Sequence, residues 1–363
     1  MSGRLKLRRG VVVSADPLLV EVEGERRPAW ADEVLLGEMR EGDEVVVNVA
    51  ALDLNLGSGG FDVVHVNLTR GLQGGREGNA HVVKLNYTSL QHPVEPVEEQ
   101  SARLMDAGEP KGAGEPKGAP IPVAVLSLHG HLAPAVWAAA HAAPNLRVGY
   151  VQTGGGALPG SLSRDVKQLR DLDLLAGHIT AAPSYGGEYE ALSTVGAIDA
   201  GGKLGWDAVI VGPGPGIIGS STEFGHGGMA ALENAHAALA LRCPTILSPR
   251  LSSSDPRKRH LHLSHHTHTV LELLLGKVEV AVPEAELPGA TEAQRYLAEA
   301  AGDRHRLRSA PVDLDAYRAS GLPTKTMGRS LDEDPLFFSG PLAAGTLLAR
   351  VARGEDPRAQ SCL

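Results

Sequence analysis

From residue 121 onward, short apolar runs alternate with helical stretches, and this pattern constrains the fold more than any other feature of the chain. The apolar runs fall at 123–128, 146–152, 178–182, 207–211, 245–247 and 278–282. Between them lie helical stretches at 132–143, 163–171, 188–203, 228–241 and 267–275. A strand that is apolar on both faces must be covered on both faces, which is the condition of a parallel sheet built from βαβ units. A helix at 291–301, a strand at 307–312 and a last helix at 341–351 continue the series. The expectation for 121–363 is an α/β, Rossmann-like domain with a mostly parallel sheet and helices on both faces.

Connection lengths add a direction to this layout. Helix-to-strand links are short, as at 144–145 and 242–244. Strand-to-helix links are long and polar or glycine-rich, at 129–134, 153–162, 183–187, 212–227 and 248–266. In a parallel sheet every strand-to-helix link emerges at the carboxyl edge, where open α/β sheets bind ligands. A binding site is therefore expected on that edge.

The region before the alternation reads differently. Val-rich runs at 5–13, 18–23, 44–49, 61–68 and 81–87, separated by turn signals, predict a small β-barrel or β-sandwich over 1–95. Residues 96–120 read as a Pro/Gly-rich linker, and 107–118 contain the tandem AGEPKG-AGEPKG. Such a composition buries too little apolar surface to order itself. The 44 glycines and 24 prolines otherwise cluster between apolar runs, which is the distribution of structured loops.

Two glycine clusters lie on the expected ligand edge. GPGPGIIGSS holds Gly212, Gly214, Gly216 and Ser220, and Gly154 and Gly155 follow Thr153. Glycines there let backbone amides approach an anion, or allow positive φ in a purely structural loop. Neither GxGxxG running directly into a helix nor GK[ST] is present, so no standard nucleotide fingerprint is supported.

Histidines are the sharpest signal. Five of the 15 fall at His260, His262, His265, His266 and His268. If RHLHL is extended, His260 and His262 share one side and Leu261 and Leu263 the other. Ser264 or Thr267 is placed to cap a following helix, with His265 and His266 at its start. His129 and His131 follow the first strand of the domain, and His226 ends the long glycine loop. His265, His266 and His129 are the candidate acid/base groups. If a metal is bound, His129, His131, His265 and His266 are the candidate ligands, although no HExxH occurs. Solvated or capping histidines are the alternative.

Arg250, Arg257, Lys258 and Arg259 make a basic segment in a chain of net charge -9. With the glycine loops, His226, Ser264 and Thr267, this segment suits a phosphate or carboxylate. Surface ion pairing is its plain alternative. Glu188 is expected to enter a helix, where it favours the N-terminus.

Other classes are disfavoured. An acidic chain is not a general nucleic-acid binder, and 1–95 carries only Trp30, Phe61 and Tyr87 as stacking platforms. Two cysteines offer neither a disulfide framework nor a CxxC pair. The N-terminus lacks a signal-peptide core, and no run of 18 apolar residues suggests a span, so the expected location is the cytoplasm.

VVHVNLTRGL, HVVKLNYTSLQHPVEPVEE, GPGPGIIG, DPRKRHLHLSHHT and TMGRSLDEDPLFF together resemble a bacterial family, domain of unknown function 3866. The resemblance implies the same two-part layout and transfers no catalytic residue or cofactor. The functional expectation is a protein that binds a small anionic metabolite, bearing a phosphate or carboxylate, at the carboxyl edge, with enzymatic action on it left open. The alternative is a non-catalytic metabolite-binding or homo-oligomeric scaffold with a β interaction module.

Overall fold

The computed structural model describes residues 4–55, 59–73, 75, 79–106, 120–220 and 222–355. The tandem at 107–118 and Cys362 lie outside them. Two compact units divide between His81 and Val82.

The first unit is a closed barrel of five strands: β1 (Leu7–Ala15), β2 (Leu18–Val22), β3 (Glu25–Trp30), β4 (Glu44–Asn48) and β5 (Asp62–Asn67), in the order β1-β2-β3-β5-β4. Two short helices, α1 (Glu33–Leu36) and α2 (Ala50–Asp53), fill the connections. Alternate residues point inward, so Val12, Val20, Val22, Val45, Val47 and Val64 form the core with Met39 and Val49. The third strand, β3, differs from the expectation. ERRPAW, with three charged residues and Pro28, closes the barrel antiparallel to β2 and parallel to β5. The run expected at 81–87 instead supplies β6 (Val82–Lys84), which pairs with β7 (His92–Val94) in the second unit.

A helix, α3 (Val97–Asp106), occupies the start of the stretch read as linker. The sheet strands are β8 (Val123–Val125), β9 (Val148–Thr153), β10 (Gly177–Ala181), β11 (Tyr189–Ala191), β12 (Ala208–Pro213), β13 (Thr245–Leu247), β16 (Glu279–Glu284) and β17 (Arg306–Pro311). Their order is β11-β10-β9-β12-β8-β13-β16-β17, and all neighbours are parallel. Between β13 and β16 lies a small antiparallel pair, β14 (Leu251–Ser252) and β15 (His262–Leu263).

Helices cover both faces. On one face α4 (Leu132–Ala142), α5 (Arg164–Asp171), α10 (Leu314–Ala319) and α11 (Pro335–Ala352) pack on Ala124, Tyr150, Ile210 and Ile246. On the other, α6 (Thr194–Lys203), α7 (Ala230–Ala240), α8 (His265–Leu273) and α9 (Ala290–Ala301) pack on Val123, Val151, Val209 and Val280. α11 is long and apolar enough to cross a membrane by length and composition, but most of it is buried in this core.

Trp206 shows how closely the second face is fitted. A Cβ added at Gly149 would sit 1.8 Å from its indole, and one at Gly177 or Gly201 within 2.7 or 2.8 Å. Gly149 and Gly177 are register partners on β9 and β10, so the sheet itself provides the slot.

Three local expectations are corrected. Glu188 does not enter a helix: β11 follows it, and α6 begins only at Thr194, capped by Ser193. The last helix starts at Pro335 rather than 341, because Pro335 takes the favoured first-turn position and Pro341 is carried inside. RHLHL is not extended throughout. A 3-10 turn over Lys258–His260 buries His260, while His262 stays half-buried on β15 with φ +60°.

Candidate functional site

The sheet reverses its winding between β8 and the adjacent β12. From β8 the chain leaves by α4 on one face to reach β9, and from β12 it leaves by α7 on the other face to reach β13. The crevice beyond their carboxyl ends is the position that open α/β sheets use for ligands. Every candidate residue on a strand-to-helix loop belongs to this edge.

His129, just after β8, sits in the crevice as a clasp. Its Nδ1 lies 3.2 Å from the Pro213 carbonyl at the end of β12, and its Nε2 lies 2.8 Å from Ser163 Oγ. The tautomer that donates from Nδ1 leaves Nε2 to accept the Ser163 hydroxyl proton. Tyr150 Oη donates to the carbonyls of Gly212 and Pro213 at 3.1 and 2.9 Å. Burial lowers the pKa of His129, against the opposing pull of Asp165 and the Pro213 carbonyl. His131 is fully buried, with Nδ1 3.3 Å from Ser248 Oγ and its ring edge-on to Phe337.

The histidines of the next loops converge. Ser264 caps α8 by accepting from the backbone N–H of His266 at 3.2 Å, which sets His265 and His266 at the helix start. Ser264 Oγ also meets His260 Nδ1 at 2.8 Å. His226, from the loop after β12, stacks on His266 with ring centroids 3.7 Å apart and planes 9° from parallel. His265 stands edge-on to both, at 5.2 Å from His226 and 4.5 Å from His266. His260 lies 5.0 Å from each of His265 and His266. Gly228 admits this stack, since a Cβ there would meet Nδ1 of His226 and of His266 at 3.0 Å. The imidazole that joins His265 and His266 is thus His226; His129 and His131 are engaged elsewhere.

Burial lowers all four pKa values, with neighbouring positive charges as the further cause. His260 falls to about 3, His265 to about 4 and His266 to about 2. For His226 burial outweighs the Glu223 carbonyl, which acts in the opposite direction. The four rings are neutral at physiological pH.

Arg250 supplies the buried cation. It is 2% exposed; Nη1 lies 3.3 Å from His266 Nδ1, and its carboxylate neighbour, Asp255, is 3.6 Å away. Burial lowers its pKa to about 10. Thr267 Oγ1 holds the segment by accepting from the Arg250 backbone N–H at 2.9 Å.

The other arginines of this segment divide. Arg257 is bidentate on Asp255 at 2.9 and 2.8 Å, so its charge is already paired. Arg259 is exposed, with Nε 3.4 Å from His260 Nε2. It borders an open groove of about 600 Å³ together with Lys258, His262, His265, His268 and Tyr296.

Asp255 is a hub that sequence reasoning did not single out. Arg329, from the TMGRS turn, bridges Asp255 at 3.2 Å and Asp334 at 3.0 Å. Asp334 in turn accepts from Ser252 Oγ at 2.6 Å and from the Ser253 backbone N–H at 2.8 Å. The DPRKRH and TMGRSLDED motifs are therefore two halves of one assembly behind Arg250.

The glycine loops pack against each other. A Cβ at Gly155 would meet the Gly227 carbonyl at 2.5 Å, one at Gly156 the Gly214 carbonyl at 2.1 Å, and one at Gly214 the Ala157 carbonyl at 2.2 Å. Gly154 faces Pro183, and Gly212 faces Leu126. Gly216 needs its glycine for φ +69° in open space. Ser220 forms an exposed turn with Thr222, Oγ to Oγ1 at 2.7 Å. Mutual backbone approach thus accounts for Gly155 and Gly214 in the described structure.

A family model described as protein of unknown function (DUF3866) matches residues 29–345. No curated protein and no solved structure matches the chain.

Proposed function

The chain belongs to the DUF3866 family, whose description assigns no activity, and from that premise we propose that the carboxyl edge of the parallel sheet binds a small metabolite bearing a phosphate or carboxylate. One observation carries the proposal: a guanidinium, Arg250, 2% exposed among neutral imidazoles with no carboxylate closer than 3.6 Å among the described residues. A buried charge without close compensation is expensive, and an anion that hydrogen-bonds it removes the penalty. Arg259 and Lys258 at the neighbouring groove add positive charge along the approach.

Binding is better supported than proton transfer. A general base works best with a pKa near the operating pH, and His266 at about 2 is far below it. Neutral imidazoles here offer contacts to a ligand, with His265, less depressed than His260 or His266, left as the acid/base candidate if turnover follows.

The test is a titration of the purified chain with inorganic phosphate, a dicarboxylate and a neutral polyol at constant ionic strength. Stabilisation by an anion is expected, reaching about 2.7 kcal/mol at 100 times its dissociation constant. Equal shifts with the polyol, or none with any anion, would overturn the proposal.

A further inference from the structure

We propose that His226, His265 and His266 form a binding site for a divalent transition-metal ion of the zinc class. One ligand atom from each imidazole lies within 4.8 Å of the others. The three come from two loops, after β12 and after β13, that flank β8 on the carboxyl edge.

Unsatisfied polarity points to a ligand rather than to a packed stack. Nε2 of His226 and Nε2 of His265 are buried with no hydrogen-bond partner among the described residues. Leaving such atoms unpaired is costly, and folded proteins rarely do so without a bound group. The donors are all nitrogen, a set that suits zinc, copper, nickel or cobalt rather than calcium or magnesium.

The surroundings fit a positioned site. Ser264 holds both His260 and the start of α8, so His265 and His266 are placed by one hydroxyl. Gly228 leaves room where a side chain would press on His226 and His266. A dication beside Arg250 adds to a positive charge that Asp255 meets only at 3.6 Å. The remaining coordination position would then favour an anion, so the metal and the anionic ligand reinforce each other. The metal inference stands on the imidazoles and does not require the anion reading.

Chelator-treated full-length protein titrated with Zn²⁺, and separately with Co²⁺, tests the inference. The expected result is one ion per chain, with cobalt showing the visible bands of nitrogen coordination. His226→Ala and His265→Ala should each weaken uptake at least 100-fold, whereas His141→Ala, on the exposed end of α4, should not. Circular dichroism establishes that each variant folds, and His265→Gln replaces any that does not. Failure of the wild type to take up either ion at micromolar free concentration, or stoichiometric uptake surviving in both variants, overturns the site. Phosphate titration of the metal-free protein separates the two proposals: phosphate binding without metal uptake leaves the anion site standing alone, and metal uptake without phosphate binding leaves the metal site alone.

Discussion

Arg250→Met separates a ligand-binding role from a structural one. The substitution removes the charge and keeps most of the side-chain length. Asp255 is not orphaned by it, because Arg257 still holds it at 2.9 and 2.8 Å and Arg329 at 3.2 Å. The backbone contacts of residue 250 to Thr267 and Ser264, at 2.9 and 3.0 Å, do not involve the side chain. What is lost is the 3.3 Å contact to His266 Nδ1, worth about 0.5–1.5 kcal/mol, with a 3.7 Å contact to Met327 Sδ and the loose 3.6 Å ion pair with Asp255, and the desolvation of a buried guanidinium is relieved at the same time. The net change in unfolding free energy should stay within about 1 kcal/mol. Breaking a closely paired buried ion pair would instead cost about 3–5 kcal/mol. A hydrogen bond from a charged donor to a bound anion contributes about 1.5–3 kcal/mol, so phosphate affinity should fall by about 10- to 150-fold. Urea unfolding followed by tryptophan emission measures the first quantity, and calorimetric titration with phosphate the second. A loss of about 3 kcal/mol or more in stability with unchanged phosphate affinity would refute the reasoning and make Arg250 structural.

Three further outcomes are expected. Burial lowers His131 and His178 to about 3, so the folded state binds fewer protons than the unfolded chain between that value and 6.5. Their contribution is complete above pH 6.5 and is lost as pH falls toward 3, at up to about 1.4 kcal/mol per pH unit for each, and His178→Phe should flatten this slope in urea midpoints measured from pH 7 to 4. Gly149→Ala places a methyl group 1.8 Å from the Trp206 indole and should cost at least about 1–3 kcal/mol with a shift in Trp206 emission; an unchanged midpoint would contradict the described slot. Lys84 Nζ donates to the carbonyls of Thr180 and Ser184 at 2.8 and 2.7 Å and to Glu190 at 2.6 Å, so Lys84→Met should cost about 3–5 kcal/mol by urea unfolding, and a change below about 1 kcal/mol would show that this buried network carries little stability.

Strand–helix alternation was legible because a parallel strand is apolar on both faces, and that signal does not depend on distant contacts. ERRPAW was not, because its charges and Pro28 lie on a strand whose place is set by β2 and β5 rather than by local pattern. Pro341 misled for a physical reason: proline favours the first helical turn, and the sequence holds two prolines that meet that rule six residues apart. Glycine clusters are ambiguous in principle. Close approach to a ligand and close approach to another loop both require the absence of Cβ, and only the contacts of Gly155 and Gly214 with facing carbonyls distinguish them.

The candidate site shows the same division between local and distant information. Ser264 as a helix cap, with His265 and His266 at the start of α8, follows from local capping chemistry. The third imidazole could not be chosen locally, because His129, His131 and His226 all follow strands that end on the same edge. The choice depends on which strand lies between which. With β8 flanked by β12 and β13, the loops of the two flanking strands meet around the start of α8 and bring His226 onto His266. His129 is instead drawn across to the Pro213 carbonyl of β12, and its ring nitrogens are already engaged. Asp255, Arg329 and Asp334 form their assembly by tertiary contact between segments about 75 residues apart, a relation without a sequence period. Arg250 remains buried and incompletely paired because Arg257 and Arg329 already satisfy Asp255, and that leaves its guanidinium to the imidazoles and to whatever anion the edge admits.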